Sequence, residues 1–227
     1  MKITFLGHAG LLVEAGGKRV AIDPWLTGNP AAALKAEELK VDAVVLTHGH
    51  SDHSADAVGI AAANGCPVVA VVELAGHLAR KGVQTIGLNT GGGYAWDGIR
   101  VKLTPAFHSS SYEDGGQVLY AGQPAGVLLT IDGKTLYHAG DTALFSDMKL
   151  IGDRNAIDVA ALPIGDYFTM GPDDAAQAAE WIGAKRVIPV HYDTFPPIRQ
   201  DGEAFAAKIA ELGLECVLLK PGDSTEV

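Results

Sequence analysis

The chain of 227 residues is long enough for one large α/β domain, and its 48% hydrophobic residues and mean hydropathy of +0.16 suffice for a sizeable core. Acidic residues outnumber basic residues by 27 to 17, which gives a formal net charge of −10. Because binding to phosphate backbones needs clustered lysine and arginine, this charge argues against nucleic acid as the main partner, although bound cations can offset local negative charge. No run of about 18 apolar residues is present, so we expect no membrane span.

Two further features of the sequence, its first residues and its cysteines, point to a cytoplasmic protein. The first residues, MKITFLGHAG, contain one lysine but neither a long apolar core nor a small-residue cleavage site, so no secretory signal is predicted. The two cysteines, Cys66 and Cys216, lie far apart, and each stands beside apolar sequence. We expect both to be buried free thiols, which suits a reducing compartment.

The first half of the chain alternates short apolar runs with glycine-rich turns, which predicts short strands and helices. In chain order the predicted elements are strands over 2–6, 11–15 and 19–22, a short amphipathic helix over 31–39, a strand over 41–47, a helix over 54–64, a strand over 67–72, a helix over 74–81 and a brief strand over 85–87. Gly65 suits the end of the helix over 54–64, since glycine readily takes the left-handed conformation after a helix. The triple glycine at 91–93 is expected to form a turn.

The second half of the chain repeats this order of strands followed by mixed strands and helices. Its predicted elements are strands over 99–107, 125–131, 135–138 and 158–163, a helix over 172–182, a strand over 185–190, a helix over 203–212 and a closing strand over 215–219. The polar, glycine-rich segment 109–122 is expected to be a loop that either forms part of a substrate pocket or is simply solvated. The pattern indicates two similar halves, each with a sheet and outer helices, in a single domain over 1–227.

The most informative stretch is VVLTHGHSDH at 44–53. Its first four residues predict a buried strand, and His48, His50, Asp52 and His53 follow at the carboxyl end. Because residues i and i+2 of an extended segment lie on one side, His48 and His50 can face one metal ion. Asp52 and His53, beyond the following turn, can reach a second. Imidazole and carboxylate suit zinc, manganese, iron or nickel, whereas the alternative is a set of solvated loop histidines.

Three more candidate ligands follow predicted strands. His108 comes after the strand that ends in TPAF, Asp141 lies in YHAGDT, and His191 ends VIPVH. Taken singly, such a histidine is more often a satisfied loop or core residue, but α/β folds place their sites at the carboxyl ends of strands. The candidate ligands then form two triplets and a bridge: His48, His50 and His108 for a first metal, Asp52, His53 and His191 for a second, and Asp141 between them.

The pattern HxHxDH at 48–53, followed by His108, the Asp141 of GDT and His191, resembles the metallo-β-lactamase superfamily in motif order and spacing over the whole chain. This resemblance implies an α/β fold, the αββα four-layer sandwich, with a two-metal hydrolytic site at one edge of the sheets. The segments FLGHAG, IDPWLTGNP and PVHYDTFP are similar to small stand-alone metal-dependent hydrolases related to the ascorbate-6-phosphate lactonase branch. We therefore expect two divalent metal ions, with zinc as the first candidate and manganese, nickel or iron as alternatives.

The expected chemistry follows from such a pair of cations. They would lower the pKa of a shared water, which supplies a metal-bridging hydroxide at neutral pH, and they would polarise the oxygen of the electrophile. No serine or cysteine nucleophile is then needed, and no G-x-S-x-G motif is present. Asp52 and Asp141 are the candidates that steer the hydroxide or return a proton to the leaving group, and for Asp52 metal ligation alone is the alternative.

Several residues near these motifs have two interpretations each. Asp23, before a proline, is expected to accept an imidazole N–H from a ligand histidine, or else to form a plain Asp-Pro turn. The resemblance places His8 near the site mouth, as a contact to substrate or transition state, or as an ordinary turn histidine. Tyr192 either orients the oxyanion or simply packs. His138 is expected to support the structure, and His77 to lie on the surface.

The leading interpretation is a metal-dependent hydrolase acting on a small ester, lactone, amide or phosphodiester. A nuclease of the same superfamily is disfavoured by the net charge of −10. A secreted β-lactamase is disfavoured because zinc lactamases place a different ligand where Asp141 stands, and di-iron oxygen-reducing members carry glutamate in place of His50. A non-catalytic metal-binding or sensing module is the alternative from a different class, and the complete ligand motif argues against it. The expected partner is a small-molecule substrate; a homo-oligomer is common among related small hydrolases, but no stretch identifies an interface.

Overall fold

The computed structural model describes all residues, 1–227, and contains two seven-stranded mixed sheets. The first sheet has the strand order β16-β1-β2-β3-β4-β5-β6. Its strands are Lys2–Gly7 (β1), Gly10–Ala15 (β2), Lys18–Ile22 (β3), Ala43–Val45 (β4), Val68–Val71 (β5), Thr85–Leu88 (β6) and Ser224–Glu226 (β16). The strands β3 to β6 run parallel to one another, whereas β1 pairs antiparallel with β2 and β16.

The second sheet has the order β15-β14-β13-β12-β11-β8-β7. Its strands are Gly93–Trp96 (β7), Ile99–Pro105 (β8), Ala125–Ile131 (β11), Lys134–His138 (β12), Val159–Pro163 (β13), Arg186–Val190 (β14) and Glu215–Cys216 (β15). A separate two-stranded hairpin consists of Ser111–Asp114 (β9) and Gln117–Tyr120 (β10). The strands β12 to β15 are parallel, so their carboxyl ends meet at one edge of the sheet.

The helices cover the outer faces of the two sheets. They are Ser51–Ser54 (α1), Ala57–Asn64 (α2), Val72–Ala79 (α3), Met148–Arg154 (α4), Pro172–Ile182 (α5) and Gly202–Glu211 (α6), with short 3-10 turns at Ala36–Glu38 and Pro196–Ile198. No helix is both long and apolar enough to cross a bilayer.

Alternation along the central strands explains the layers. In β11, Val127 and Leu129 belong to a core of 40 buried residues that includes side chains from both sheets, whereas Leu128 belongs to a second core of 19 residues. In β13, Ala161 and Leu162 divide between the same two cores. Because successive strand residues face opposite sides, the first core lies between the sheets and extends under α2 and α3, whereas the second lies under α4 to α6. The predicted αββα sandwich is confirmed.

Two predicted elements in the chain are wrong. The helix expected over 31–39 is reduced to the 3-10 turn Ala36–Glu38, because tertiary hydrogen bonds take its backbone: Ala31 N–H donates to Asn29 Oδ1 at 2.8 Å, and Ala33 N–H donates to Leu6 O at 3.1 Å. The segment 109–122 is not an irregular loop, since most of it forms the hairpin β9–β10.

Besides the hairpin, three elements have no counterpart in the sequence-based prediction. They are the strand β7, which begins within the triple glycine, the helix α4 and the strand β16. The strand over 215–219 is shorter than expected and does not close the fold, because β16 returns to pair with β1, placing Glu226 opposite Lys2. Neither cysteine forms a disulfide; Cys66 is buried as expected, whereas Cys216 is only half-buried.

Candidate metal centre

The candidate ligands gather at one edge of the sandwich, where strands from both sheets end. His48 follows β4 in the first sheet. In the second sheet His108, Asp141 and His191 follow β8, β12 and β14, which all run in the same direction. The edge formed by the carboxyl ends of these strands is where α/β folds bind ligands.

The first triplet lies together in space. The ligating nitrogens of His48, His50 and His108 are all within 4.8 Å of one another, and His48 Nε2 lies 3.0 Å from His50 Nδ1. His48 is fully buried, whereas His50 and His108 are half-buried and form the open side of the group. Burial lowers the pKa of all three imidazoles, which keeps them in the neutral form that binds cations.

The second triplet also comes together, with an additional histidine. The ligand atoms of Asp52, His53 and His191 lie within 4.8 Å of one another, and a ring nitrogen of His8 lies within the same distance of them. His53 is fully buried, and Asp52 has a side chain that is 26% exposed. His191 adopts a left-handed backbone conformation with φ of 55°, a strained geometry of the kind that clusters at functional sites.

Asp141 lies between the two triplets. Its Oδ1 is 3.4 Å from His53 Nε2, and its Oδ2 is 3.0 Å from His191 Nε2 and 3.6 Å from His108 Nε2. Burial alone would raise the pKa of Asp141, but the nearby imidazoles of His191 and His53 outweigh it and hold that pKa well below its usual range. The carboxylate is therefore ionised and faces both groups.

Unpaired buried atoms show that this arrangement fits divalent cations. His53 Nε2 and Asp141 Oδ1 are buried and form no hydrogen bond, although they lie 3.4 Å apart. Leaving such groups unpaired costs free energy that a bound cation would recover, and imidazole with carboxylate is a donor set for zinc and related metals. The residues present therefore fit the expected metal ions.

Asp23 is hydrogen-bonded to a candidate ligand, whereas His8 and Tyr192 do not face a substrate. Asp23 Oδ2 lies 2.8 Å from His53 Nδ1, and the buried carboxylate also accepts hydrogen bonds from Thr47 N–H and Oγ1–H.

His8 is completely buried behind Asp52, so it has no surface that faces a substrate. Tyr192 points away from the ligands: its ring packs on the core under α4 to α6, and its OH approaches Gly202. The structure thus favours the packing interpretation of Tyr192.

The two remaining histidines act on the scaffold. His138 is buried, with Nε2 2.8 Å from Ala9 O and with Gly140 N–H donating to its Nδ1 at 3.0 Å. His77 is half-buried rather than a plain surface residue, because its Nε2 donates to Tyr120 O at 2.8 Å and its ring stacks on Tyr112. His77 thereby holds the hairpin β9–β10 beside the site.

Thr47 and Thr194, which contact Asp23 and His8 respectively, have roles that were not predicted from the sequence. Thr47 directly precedes the histidine cluster, so its position was a usable signal, whereas Thr194 carries none that separates it from other loop threonines.

Two adjoining cavities open beside the first triplet. A cavity of about 460 Å³ is bordered by His108 and Phe107, and a second cavity of about 380 Å³ is bordered by Glu73 and Tyr120. Thr90 and Gln123 line both cavities, so they adjoin. No lysine or arginine lines either one. Another cavity of about 460 Å³ lies along residues 26–38 and contains none of the candidate ligands.

The fold and the edge that carries the candidate ligands are those expected of the metallo-β-lactamase superfamily, and comparison with known proteins agrees. Residues 18–192 match the family model of the β-lactamase superfamily domain. A UPF0173 metal-dependent hydrolase of Geobacillus thermodenitrificans (strain NG80-2) is 53% identical over 228 residues, covering 100% of both chains. Another, from Pelotomaculum thermopropionicum, is 52% identical over 229 residues, also covering 100% of both.

A solved structure has the same fold over the whole chain. Igni18, described as a novel metallo hydrolase from the archaeon Ignicoccus hospitalis KIN4/I, superimposes with a TM-score of 0.90 at 39% identity, covering 100% of this chain and 98% of the other. The chain therefore belongs to the β-lactamase superfamily and, within it, to the family of UPF0173 metal-dependent hydrolases. The predicted superfamily is confirmed; the narrower relation to the ascorbate-6-phosphate lactonase branch stays a prediction.

Proposed function

We propose that this protein is a cytoplasmic, binuclear metal-dependent hydrolase of a small ester, lactone, amide or phosphodiester. The observation that carries the proposal is the ionised Asp141 carboxylate, which lies between two histidine-containing triplets and has Oδ1 buried without a hydrogen bond. His48, His50 and His108 would hold one cation, Asp52, His53 and His191 would hold the other, and Asp141 would contact both. Zinc is the first candidate, with manganese, nickel and iron as alternatives.

When bound, two such cations activate a water molecule as the nucleophile and polarise the substrate oxygen. The chain's own residues supply the rest. Asp52 has the more exposed of the two carboxylates, 26% against 3% for Asp141, so as an ionised acceptor it can orient the attacking water at the open side. Asp141, buried and flanked by imidazoles, is better suited to keep both triplets at a fixed separation.

The cavities beside His108 favour a substrate whose remote part is neutral. Their polar lining consists of side-chain amides and hydroxyls, the imidazole of His108 and the carboxylate of Glu73. Because no cationic side chain lines them, an additional phosphate on the substrate would have no partner and would approach a carboxylate. This lining and the net charge of −10 also disfavour a nuclease.

The test combines metal analysis with hydrolysis. The chain would be reconstituted separately with zinc, manganese, nickel and iron, and then assayed on an aryl ester, a lactone, an anilide and an aryl phosphodiester. We expect two metals per chain and turnover of one bond type. Asp141→Asn should lower the stoichiometry below two and abolish turnover together, whereas the exposed Asp153→Asn, which makes the same chemical change on α4, should alter neither.

Three results would contradict the proposal. One metal per chain would exclude a binuclear centre. Two metals without turnover of any bond type would favour a non-catalytic metal-binding module. Full activity and two metals in Asp141→Asn would remove Asp141 from the centre.

A further inference from the structure

His8 occupies a turn from which its side chain cannot reach solvent. It lies between β1 and β2 with a left-handed backbone, φ 59°, and its side chain has no exposed surface. The ring lies against Trp25 and Phe195, with centroids 5.2 and 5.3 Å away. Its backbone carbonyl accepts a hydrogen bond from His191 N–H at 2.8 Å. A residue enclosed in this way cannot contact substrate directly, so any effect on the site passes through its neighbours.

The two ring nitrogens of His8 meet chemically different partners. Nε2 lies 3.2 Å from Asp52 Oδ2, and Nδ1 lies 2.9 Å from Thr194 Oγ1. An ionised carboxylate can only accept a hydrogen bond, whereas a hydroxyl can donate or accept. A neutral imidazole must therefore carry its proton on Nε2, and its Nδ1 must accept.

The hydroxyl of Thr194 completes this assignment. It has a single proton and two acceptors in reach, His8 Nδ1 at 2.9 Å and the carbonyl oxygen of Tyr192 at 3.3 Å. The shorter contact is to His8, so the proton belongs there. This contact joins residues 186 positions apart in the chain.

We propose that His8 is a positioning residue for Asp52: its Nε2–H holds Oδ2 of the carboxylate and leaves Oδ1 for the second metal, while Thr194 fixes the required tautomer by donating to Nδ1. The proposal rests on the second metal position proposed above. It follows a general pattern in which hydrogen bonds to a ligand set its orientation and basicity.

The competing assignment is that His8 is itself a metal ligand through Nε2, because a ring nitrogen of His8 lies within 4.8 Å of the ligand atoms of Asp52, His53 and His191, and Nε2 is the nitrogen that faces Asp52. The two assignments differ in one proton. A positioning His8 carries a proton on Nε2, whereas a ligating Nε2 carries none. Long-range proton–nitrogen NMR spectra of the zinc-loaded chain report this directly. A protonated Nε2 and an unprotonated Nδ1 are expected, and an unprotonated Nε2 would overturn the proposal.

Substitutions supply a second readout. His8→Asn tolerates the left-handed backbone but is too short to reach Asp52, whereas His8→Gln can place an amide N–H close to the position of Nε2. We expect His8→Asn to weaken zinc binding at the second triplet by roughly 10–100-fold in chelator competition, with zinc binding at the first triplet unchanged. His8→Gln should recover most of this affinity. Thr194→Val should weaken the same zinc and Thr194→Ser should not.

Unchanged zinc affinity in a folded His8→Asn, or a folded His8→Gln no better than His8→Asn, would overturn the positioning role. Both readouts are independent of turnover. A chain that binds two metals and hydrolyses nothing would reject the proposed hydrolase while leaving the assignment of His8 to be decided by these measurements.

Discussion

Asp23 and His53 form a fully buried pair, with Asp23 Oδ2 2.8 Å from His53 Nδ1. Two hydrogen bonds from Thr47 hold the same carboxylate: the backbone N–H lies 2.8 Å from Oδ1 and the hydroxyl 2.6 Å from Oδ2. Since Asp23 accepts the proton of Nδ1, the lone pair of His53 is on Nε2, which faces Asp141 at 3.4 Å. The end of β3 thus orients a ligand that follows β4.

This pair predicts the effect of Asp23→Asn. The amide has one acceptor oxygen in place of two, so it cannot accept all three hydrogen bonds that the carboxylate receives from His53 and Thr47, and its NH₂ would face one of these donors. We expect metal affinity at the second triplet to fall by roughly 10–100-fold, measured by chelator competition. The control is Asp97→Asn, an exposed aspartate that also has positive φ, 45° against 46°. Equal affinities in the two variants would contradict the role of Asp23.

Gly49 separates the two histidines of the first triplet and lies directly under the hairpin. A methyl group at this position would lie 2.6 Å from Ala121 Cβ and 2.7 Å from Ser111 O. We expect Gly49→Ala to lower the free energy of unfolding by about 1–3 kcal/mol, the usual cost of overpacking, and to weaken the metal bound by His48 and His50. Denaturant unfolding and chelator competition measure the two effects.

The matched control for this substitution is Gly59→Ala within α2. Gly59 is exposed and a methyl group there meets nothing within 4 Å. Because alanine favours a helix over glycine, Gly59→Ala should raise the free energy of unfolding by about 0.5–1 kcal/mol and leave metal affinity unchanged. If both alanine variants behaved alike, the close approach of the hairpin to Gly49 would not matter for the site.

The parts of this fold that could be predicted are those that depend on residues close together in the sequence. The helix Pro172–Ile182 agrees with its prediction at both ends, because proline marks its start and Gly183 follows in the left-handed conformation. The two metal triplets could be proposed because their residues stand at strand ends, and parallel strands bring those ends to one edge.

The parts that could not be predicted depend on distant contacts. The segment 31–39 has helical sequence, but hydrogen bonds that its backbone N–H groups donate to Leu6 O and Asn29 Oδ1 decide its conformation. The strand β16 exists only because it pairs with β1 at the other end of the chain. The hairpin is a different case, since Gly115 and Gly116, both with positive φ, form a recognisable two-residue hairpin turn. The segment was predicted as a loop because its composition is polar and rich in glycine.

Both thiols should react slowly in the folded chain. Burial raises the pKa of Cys216 to about 12 and also raises the pKa of Cys66. Since the thiolate is the reactive form, its fraction stays very small at pH 8 and rises only as the pH approaches these raised values. We expect alkylation at pH 8 to be at least about tenfold slower in the native chain than in the denatured chain, where the thiol pKa is near 8.5. Equal rates would show that neither thiol is protected by burial.

The charge of the cavity beside His108 predicts a substrate preference that one substitution should change. Glu73 forms no ion pair and lines the cavity that adjoins the His108 cavity through Thr90 and Gln123. For two substrates with the same scissile bond, one with a remote hydroxyl and one with a remote phosphate, kcat/KM should favour the hydroxyl. Glu73→Lys should raise the phosphate-to-hydroxyl ratio by about tenfold, which corresponds to about 1.4 kcal/mol of electrostatic interaction. Glu113→Lys, which makes the same change of charge on the exposed side of β9, should leave the ratio unchanged. A ratio insensitive to Glu73→Lys would mean that the substrate does not extend into this cavity.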